Sequence, residues 1–143
     1  MSQPVPYGAV IYAKDYRALA SFYEHVAGLT QREADEEYVL LEAPYFQLVI
    51  LQIPERIAAN ITIDKPPRKR ENTPIKLFLN VSSIENARQA AKGLGGELNG
   101  AEKEWKFHGV KRCDGIDPEG NVFQLQEAPA YQQGSAHESR KQE

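Results

Sequence analysis

The residue types most often used in catalysis or metal binding are sparse in this chain. It contains three histidines and one cysteine. His25 falls on the polar side of a predicted helix and His137 in a polar tail, whereas His108 follows a short aromatic strand. His108 could therefore serve in acid–base chemistry, although a surface histidine is the favoured interpretation. Cys113 has no base near it in the sequence and is expected to be a small buried side chain rather than a nucleophile.

Residues suited to binding occur on strands whose alternate positions are polar or aromatic. Lys76, Phe78 and Asn80 alternate with apolar residues, so one face of that predicted strand is mixed in character. Trp105 and Phe107 share a face of a later strand. These two rings could stack on a planar ligand or anchor a dimer interface, and the sequence leaves both interpretations open.

Composition limits the class of protein. The chain has 143 residues, and 17 basic against 20 acidic side chains give a formal net charge of −3. One cysteine excludes a disulfide framework and a cysteine zinc cluster, and the length allows a core without either. The acidic balance argues against general nucleic-acid binding, and no apolar stretch approaches the roughly 20 residues of a membrane span. We therefore expect a cytoplasmic protein with neither nucleic-acid nor membrane partners.

The first half of the chain is predicted to form one strand, one helix and three more strands. A short apolar run over residues 7–13 is typical of a buried strand. Asp15 fits the N-cap of a helix, whose apolar residues recur at helical spacing until Gly28 ends it. The three following strands are predicted over residues 31–34, 38–42 and 46–53.

The second half is predicted to repeat this order. Alternating apolar residues over 75–81 indicate a strand. Ser82 and Glu85 have the spacing of a capping box, which would open a helix that ends at a Gly-Gly pair. The remaining elements are strands over residues 97–98, 104–107, 111–116 and 121–127, with a turn at 117–121.

The stretch between the halves has no clear periodicity and is predicted to be a linker. Its basic run at residues 65–70 would suit an anionic partner, but a solvated loop is the favoured interpretation. The residues after Ala128 have little to bury and are expected to be disordered. The predicted organisation is thus one domain over residues 1–127, with modules at about 7–53 and 75–127, a linker at 54–74 and a tail at 128–143.

The two halves also align with each other at an offset of 68 residues. This shift aligns Asp15 with Ser83 and Gly28 with Gly96, and the register holds for about twenty residues. The sequence therefore predicts two modules of the same construction, each a small sheet with a helix packed on one side.

The repeat, the segment YAKDYRALASFYEHVAGL and the ending GVKRCDGIDPEGNVFQLQE resemble the vicinal-oxygen-chelate superfamily of glyoxalases, bleomycin resistance proteins and dioxygenases. The resemblance covers about residues 7–127. It implies an α+β fold of two βαβββ modules that form a cupped mixed sheet with the helices on the outside. It does not imply one function, because this fold hosts lyases, isomerases, oxygenases, thiol transferases and drug-sequestering proteins.

Metal-dependent members of that superfamily hold a divalent ion with cavity-facing residues from several strands, typically His or Glu. By position, those residues are Gly8, Gln47, Lys76 and Gln124 here. Glycine has no ligand atom, and a protonated lysine has no acceptor. Two neutral amides alone make a weak metal site. We therefore expect neither a catalytic metal nor another cofactor.

The same cavity face is expected to bind a small molecule. Lys76 would anchor a carboxylate or phosphate, or its stem would simply cover the sheet; with a lowered pKa it would act as a base. Arg112 matches a basic position of the relatives, with solvent exposure or a salt bridge as the alternative. The residues assigned to ligand binding are Tyr12, Gln47, Lys76, Phe78, Asn80, Trp105, Phe107 and Gln124.

From these observations we expect a metal-independent protein that binds a small organic ligand, anionic or aromatic, as a homodimer. Sequestration of an antibiotic is one such function. The alternative is a glyoxalase-like lyase or isomerase, or a dioxygenase-type enzyme, with an atypical site that uses Lys76, His108, Tyr12 or the glutamines. A further alternative is a structural module that keeps the fold for its dimer surface.

Overall fold

The fold consists of two modules of similar construction, described over residues 4–129 in a computed structural model. The first module comprises β1 (Tyr7–Ala13), α1 (Tyr16–Ala27), β2 (Thr30–Ala34), β3 (Tyr38–Ala43) and β4 (Phe46–Gln52). Its strands form one sheet in the order β1-β4-β3-β2, in which β1 runs parallel to β4. From residue 130 onward, the predicted tail, including His137, lies outside the described residues.

The second module follows a linker that contains α2 (Glu55–Ala58), a short helix that the sequence did not predict. It comprises β5 (Leu77–Val81), α3 (Ile84–Lys92), β6 (Glu97–Leu98), β7 (Trp105–Phe107), β8 (Val110–Ile116) and β9 (Val122–Glu127). Its sheet has the order β5-β9-β8-β6, and β7 also pairs with β8, so β6 and β7 together take the place of one strand. The predicted α+β class and paired modules are confirmed, with one sheet in each module.

Apolar residues of both modules form one core. Leu48 and Ile50 on the first sheet and Leu125 on the second are fully buried, together with the apolar sides of α1 and α3. Phe22 and Tyr23 of α1 pack edge to face against Phe123 of β9, with ring centroids 5.6 Å apart in each pair. The helices thus cover one face of each sheet, and the opposite faces point away from the core. No helix in the described part of the chain is long and apolar enough to span a membrane.

The turn between β8 and β9 ties the second module to α1. The fully buried carboxylate of Asp117 accepts a hydrogen bond from the Tyr23 hydroxyl at 2.7 Å and others from the backbone N–H groups of Glu119 and Asn121. The Glu119 carboxylate in turn accepts the backbone N–H groups of the two residues that precede α1, at 2.9 and 2.7 Å. The predicted turn at 117–121 is therefore also a polar connection between the modules.

Helix α3 begins one residue later than the predicted capping box requires. Its N-cap is Ser83, whose hydroxyl accepts the Asn86 N–H at 3.0 Å. The Ser82 and Glu85 box is therefore wrong, because the Glu85 carboxylate binds side chains further along the helix. Asp15 caps α1 in the same way as Ser83 caps α3, as the alignment of the two halves predicted.

Candidate functional site

Each sheet has one face that the helices leave uncovered. Backbone pairing of β1 with β4 defines the first open face, which carries Gly8, Val10, Tyr12, Gln47, Val49 and Leu51. Pairing of β5, β7, β8 and β9 defines the second open face, which carries Phe78, Asn80, Trp105, Phe107, Arg112, Asp114, Gln124 and Gln126. Large apolar side chains stand exposed on both: Tyr12 is 65% exposed, and Phe78 and Phe107 are each 52% exposed. Such apolar exposure is typical of a binding or assembly surface.

The residues predicted to bind a ligand are divided between these two faces. Phe78, Asn80, Trp105, Phe107 and Gln124 lie on the second open face, and Lys76, just before β5, reaches it through Asp114. Tyr12 and Gln47 lie on the first open face. Among residues 4–129, no strand of the first sheet pairs with a strand of the second. One chain therefore groups six of the eight residues and leaves Tyr12 and Gln47 on a different surface.

Arg112 on β8 lies at the centre of the second open face. Its guanidinium carbon is 4.4 Å from the centroid of the Phe78 ring and 5.0 Å from that of Phe107. Its terminal nitrogens donate to the amide oxygens of Gln124 and Gln126 at 2.6 and 2.8 Å. Its Nε–H is buried without a hydrogen-bond partner, the one such side-chain group in the part of the chain that the structure describes. A buried donor without a partner calls for an explanation, and a bound acceptor would supply one.

Lys76 is not a free cation on this face. Its Nζ lies 2.9 Å from Oδ2 of Asp114, and Gln124 donates to the other oxygen of that carboxylate at 3.1 Å. Lys76 and Asp114 therefore balance each other, and the remaining positive charge of this network belongs to Arg112. In the sequence, Lys76 was a candidate anion anchor, with a stem that only covers the sheet as the alternative. What pointed to Arg112 in the sequence was its match to a position at which the resembled relatives often carry a basic residue.

The positions that hold a metal in the resembled superfamily do not fit a divalent ion here. A Cβ added at Gly8 would lie 2.5 Å from the backbone oxygen of Gln47, so this strand position has no room for a ligating side chain. Lys76 is engaged with Asp114, and the amide of Gln124 is engaged with Arg112 and Asp114. Within residues 4–129, no group of three or more His, Cys, Asp or Glu side chains is arranged to hold a metal ion.

The remaining candidates for acid–base or nucleophilic chemistry are not assembled into a site. His108 is exposed in the β7–β8 turn, with its ring centroid 4.4 Å from that of Phe107, whereas Tyr12 lies on the first open face. Cys113 is fully buried, and burial is the main reason that the pKa of its thiol is raised. This burial confirms the prediction that Cys113 is a small buried side chain.

Comparison with known proteins connects this fold to one family. A family model described as a glyoxalase-like domain matches residues 8–126. A search of curated protein sequences finds no match.

Solved structures with the same fold include several resistance-related proteins. A glyoxalase/bleomycin resistance protein/dioxygenase family enzyme from Burkholderia phytofirmans PsJN is 18% identical, with a TM-score of 0.62 over 87% of this chain and 98% of that one. A bleomycin resistance determinant encoded on the transposon Tn5 is 14% identical, with a TM-score of 0.54 over 89% and 98%. A fosfomycin resistance protein from Mesorhizobium loti is 10% identical, with a TM-score of 0.58 over 90% and 95%. The chain therefore belongs to the glyoxalase-like domain family, within the vicinal-oxygen-chelate superfamily.

Proposed function

We propose that this protein binds a small organic anion with an aromatic body on its second open face, and that it does so without a metal. The observation that carries the proposal is the guanidinium of Arg112, held beside Phe78 and Phe107 with its Nε–H unpaired. A planar guanidinium suits a carboxylate, because its N–H groups match the spacing of the two oxygens. The half-exposed rings can turn aside to admit the anion and then stack on the aromatic body of the ligand.

The function we propose is sequestration of a small molecule, with an antibiotic as one class of ligand. Two observations support it. The names of two similar structures describe a bleomycin resistance determinant and a fosfomycin resistance protein. In addition, Lys76 is paired with Asp114 and Tyr12 lies on the other open face, so one chain offers a binding surface rather than an assembled acid–base site. The cytoplasmic location expected from the sequence is part of this proposal.

The indole N–H of Trp105 offers a direct test of the proposed site. Trp105 is the single tryptophan of the chain and is paired with Arg112 in the β7–β8 ladder, so one resonance reports on the second open face. We expect this resonance of the 15N-labelled protein to shift saturably with 2-naphthoate. The matched cation 2-naphthylmethylamine should leave it in place, because Arg112 repels it. Equal shifts with both compounds, or none with either, would contradict the proposal.

We further propose that the protein is a homodimer in which the first open face of one copy meets the second open face of the other. This arrangement would bring Tyr12 and Gln47 of one copy to the six predicted ligand residues of its partner. It would also cover the exposed apolar side chains of both faces, and twofold symmetry would form the same contact twice. Each ligand site would then be an enclosed pocket between two sheets, and small-molecule sites are usually concave pockets that bury most of the ligand.

The mass of the protein in solution tests this arrangement. One chain has a mass of 16.1 kDa, so light scattering should give about twice that value for a dimer. Val10→Glu places a charge on the first open face, where Val10 is 53% exposed, and should shift the protein towards the monomer. Ile57→Glu is the matched control, because Ile57 is 44% exposed on α2 and belongs to neither sheet. A monomeric wild type, or equal effects of the two substitutions, would refute the dimer.

A further inference from the structure

A separate groove, with a volume of about 950 Å3, lies at the boundary of the two modules and the linker. It is lined by residues at the start of α1, by linker residues 63 and 65–67, and by the turn that follows α3. None of the eight residues assigned to ligand binding lines it. Its volume lies within the range of about 300–1,000 Å3 that is common for small-molecule sites, which often occur where structural units meet.

The walls of this groove are largely apolar. Three prolines and three large aliphatic side chains contribute to them, namely Pro66, Pro67, Pro118, Ile63, Leu94 and Ile116. Proline rings are rigid and lose no rotamer freedom when a ligand covers them. Such walls are suited to a flat apolar ring.

Basic side chains give the groove its electrostatic character. Four of them line it, against three carboxylates. Lys65 has no hydrogen-bond or ion-pair partner among residues 4–129, and Lys92 makes neither contact there, although its charge contributes to lowering the pKa of Glu85. Two of the carboxylates, those of Glu119 and Asp15, already accept backbone N–H groups at the start of α1. An anion that enters the groove therefore meets the ammonium groups of Lys65 and Lys92. Two of the three carboxylates there are already hydrogen-bonded to backbone N–H groups.

We propose that this groove is a second binding site, which takes a phosphorylated small molecule with a flat ring system. The ammonium groups of Lys65 and Lys92 are compact charges with three donors each, which suit the several oxygens of a phosphate. The proline-rich walls would hold the ring. The site differs in chemistry from the second open face, where a single planar guanidinium favours a carboxylate.

Calorimetric titration of the 143-residue chain with ADP tests this inference, with adenosine as the ligand that lacks phosphate. The groove variant is Lys65→Glu with Lys92→Glu. The control is Lys69→Glu with Lys103→Glu, which changes the net charge equally; Lys69 lies in the same linker, but neither residue lines the groove. We expect the groove variant to weaken ADP binding at least about tenfold and the control less than about twofold. Adenosine should bind far more weakly than ADP.

The other outcomes overturn the inference. These are no ADP binding by the wild type, equal binding of adenosine and ADP, or equal losses in the two charge variants. A loss of ADP binding in Arg112→Met, with none in the groove variant, would place the anion on the second open face instead. The naphthoate response of Trp105 is measured on the same groove variant and should be retained, so the two proposals can fail independently. Thermal melting of each variant confirms that it is folded.

Discussion

Asp117→Ala is expected to lower the free energy of unfolding by about 3–4 kcal/mol, which is a large fraction of the stability of an ordinary domain. The carboxylate of Asp117 is fully buried and accepts hydrogen bonds from Tyr23 and from the backbone of Glu119 and Asn121. Alanine would leave these donors unpaired in the core, and each buried unpaired donor costs about 1–3 kcal/mol. Urea unfolding at pH 7 measures the loss in free energy of unfolding, and the comparison holds when the slope of that free energy against urea concentration is the same in both proteins.

Two milder substitutions at the same contact serve as controls. Tyr23→Phe removes one hydrogen bond and should cost about 1 kcal/mol. Asp117→Asn should also cost less than alanine, because burial raises the pKa of Asp117 and so favours a neutral group there. An alanine variant as stable as Tyr23→Phe would show that the turn does not hold the two modules together as described.

Arg112→Met is expected to weaken 2-naphthoate binding by at least about tenfold, the scale of a lost charged hydrogen bond. Methionine keeps the apolar contact with Phe78 and Phe107 but provides neither charge nor N–H donors. Arg112→Lys should recover part of the affinity, because it restores the charge without the planar pair of donors. Titration of the Trp105 indole resonance with 2-naphthoate measures the affinity of the wild type, Arg112→Met and Arg112→Lys.

The matched control for Arg112 is Lys106→Met. Lys106 is exposed on β7 and pairs with Lys111, on the face of the sheet opposite to Arg112. The substitution therefore removes the same charge from the face that does not carry the proposed site. It should change naphthoate affinity by less than about twofold, since exposed charges are screened by salt. If both substitutions weaken binding alike, the effect belongs to net charge and the assignment to Arg112 is wrong.

Local patterns in the sequence predicted most of the fold. The strands begin and end within two residues of the predicted positions, because alternating side chains and turn residues mark strand ends locally. Asp15 and Ser83 both cap helices, as their alignment at an offset of 68 residues required. The neighbouring Ser82 shows the limit of this approach. Ser82 and Glu85 have the spacing of a capping box, but the backbone makes Ser83 the N-cap, and the residue three positions after Ser83 is Asn86.

The candidate site was predicted in part. The family resemblance placed Gln47 and Gln124 on cavity-facing positions, and alternation along the strand placed Phe78 there; all three lie on open faces. The same rule could not show that Lys76 is paired with Asp114, since these residues lie 38 positions apart in the chain. Nor could it show that Tyr12 and the residues around Arg112 occupy different surfaces of one chain. Both facts depend on how sheets and helices pack, which no local pattern contains.

A crystal structure of the protein with 2-naphthoate tests the central claim most directly. The account predicts the carboxylate within hydrogen-bond distance of the Arg112 guanidinium and the naphthalene ring against Phe78 or Phe107. It also predicts that the first open face of a second copy covers the ligand. A naphthoate molecule bound elsewhere, with Arg112 still enclosed by the two glutamines and the two rings, would contradict the account.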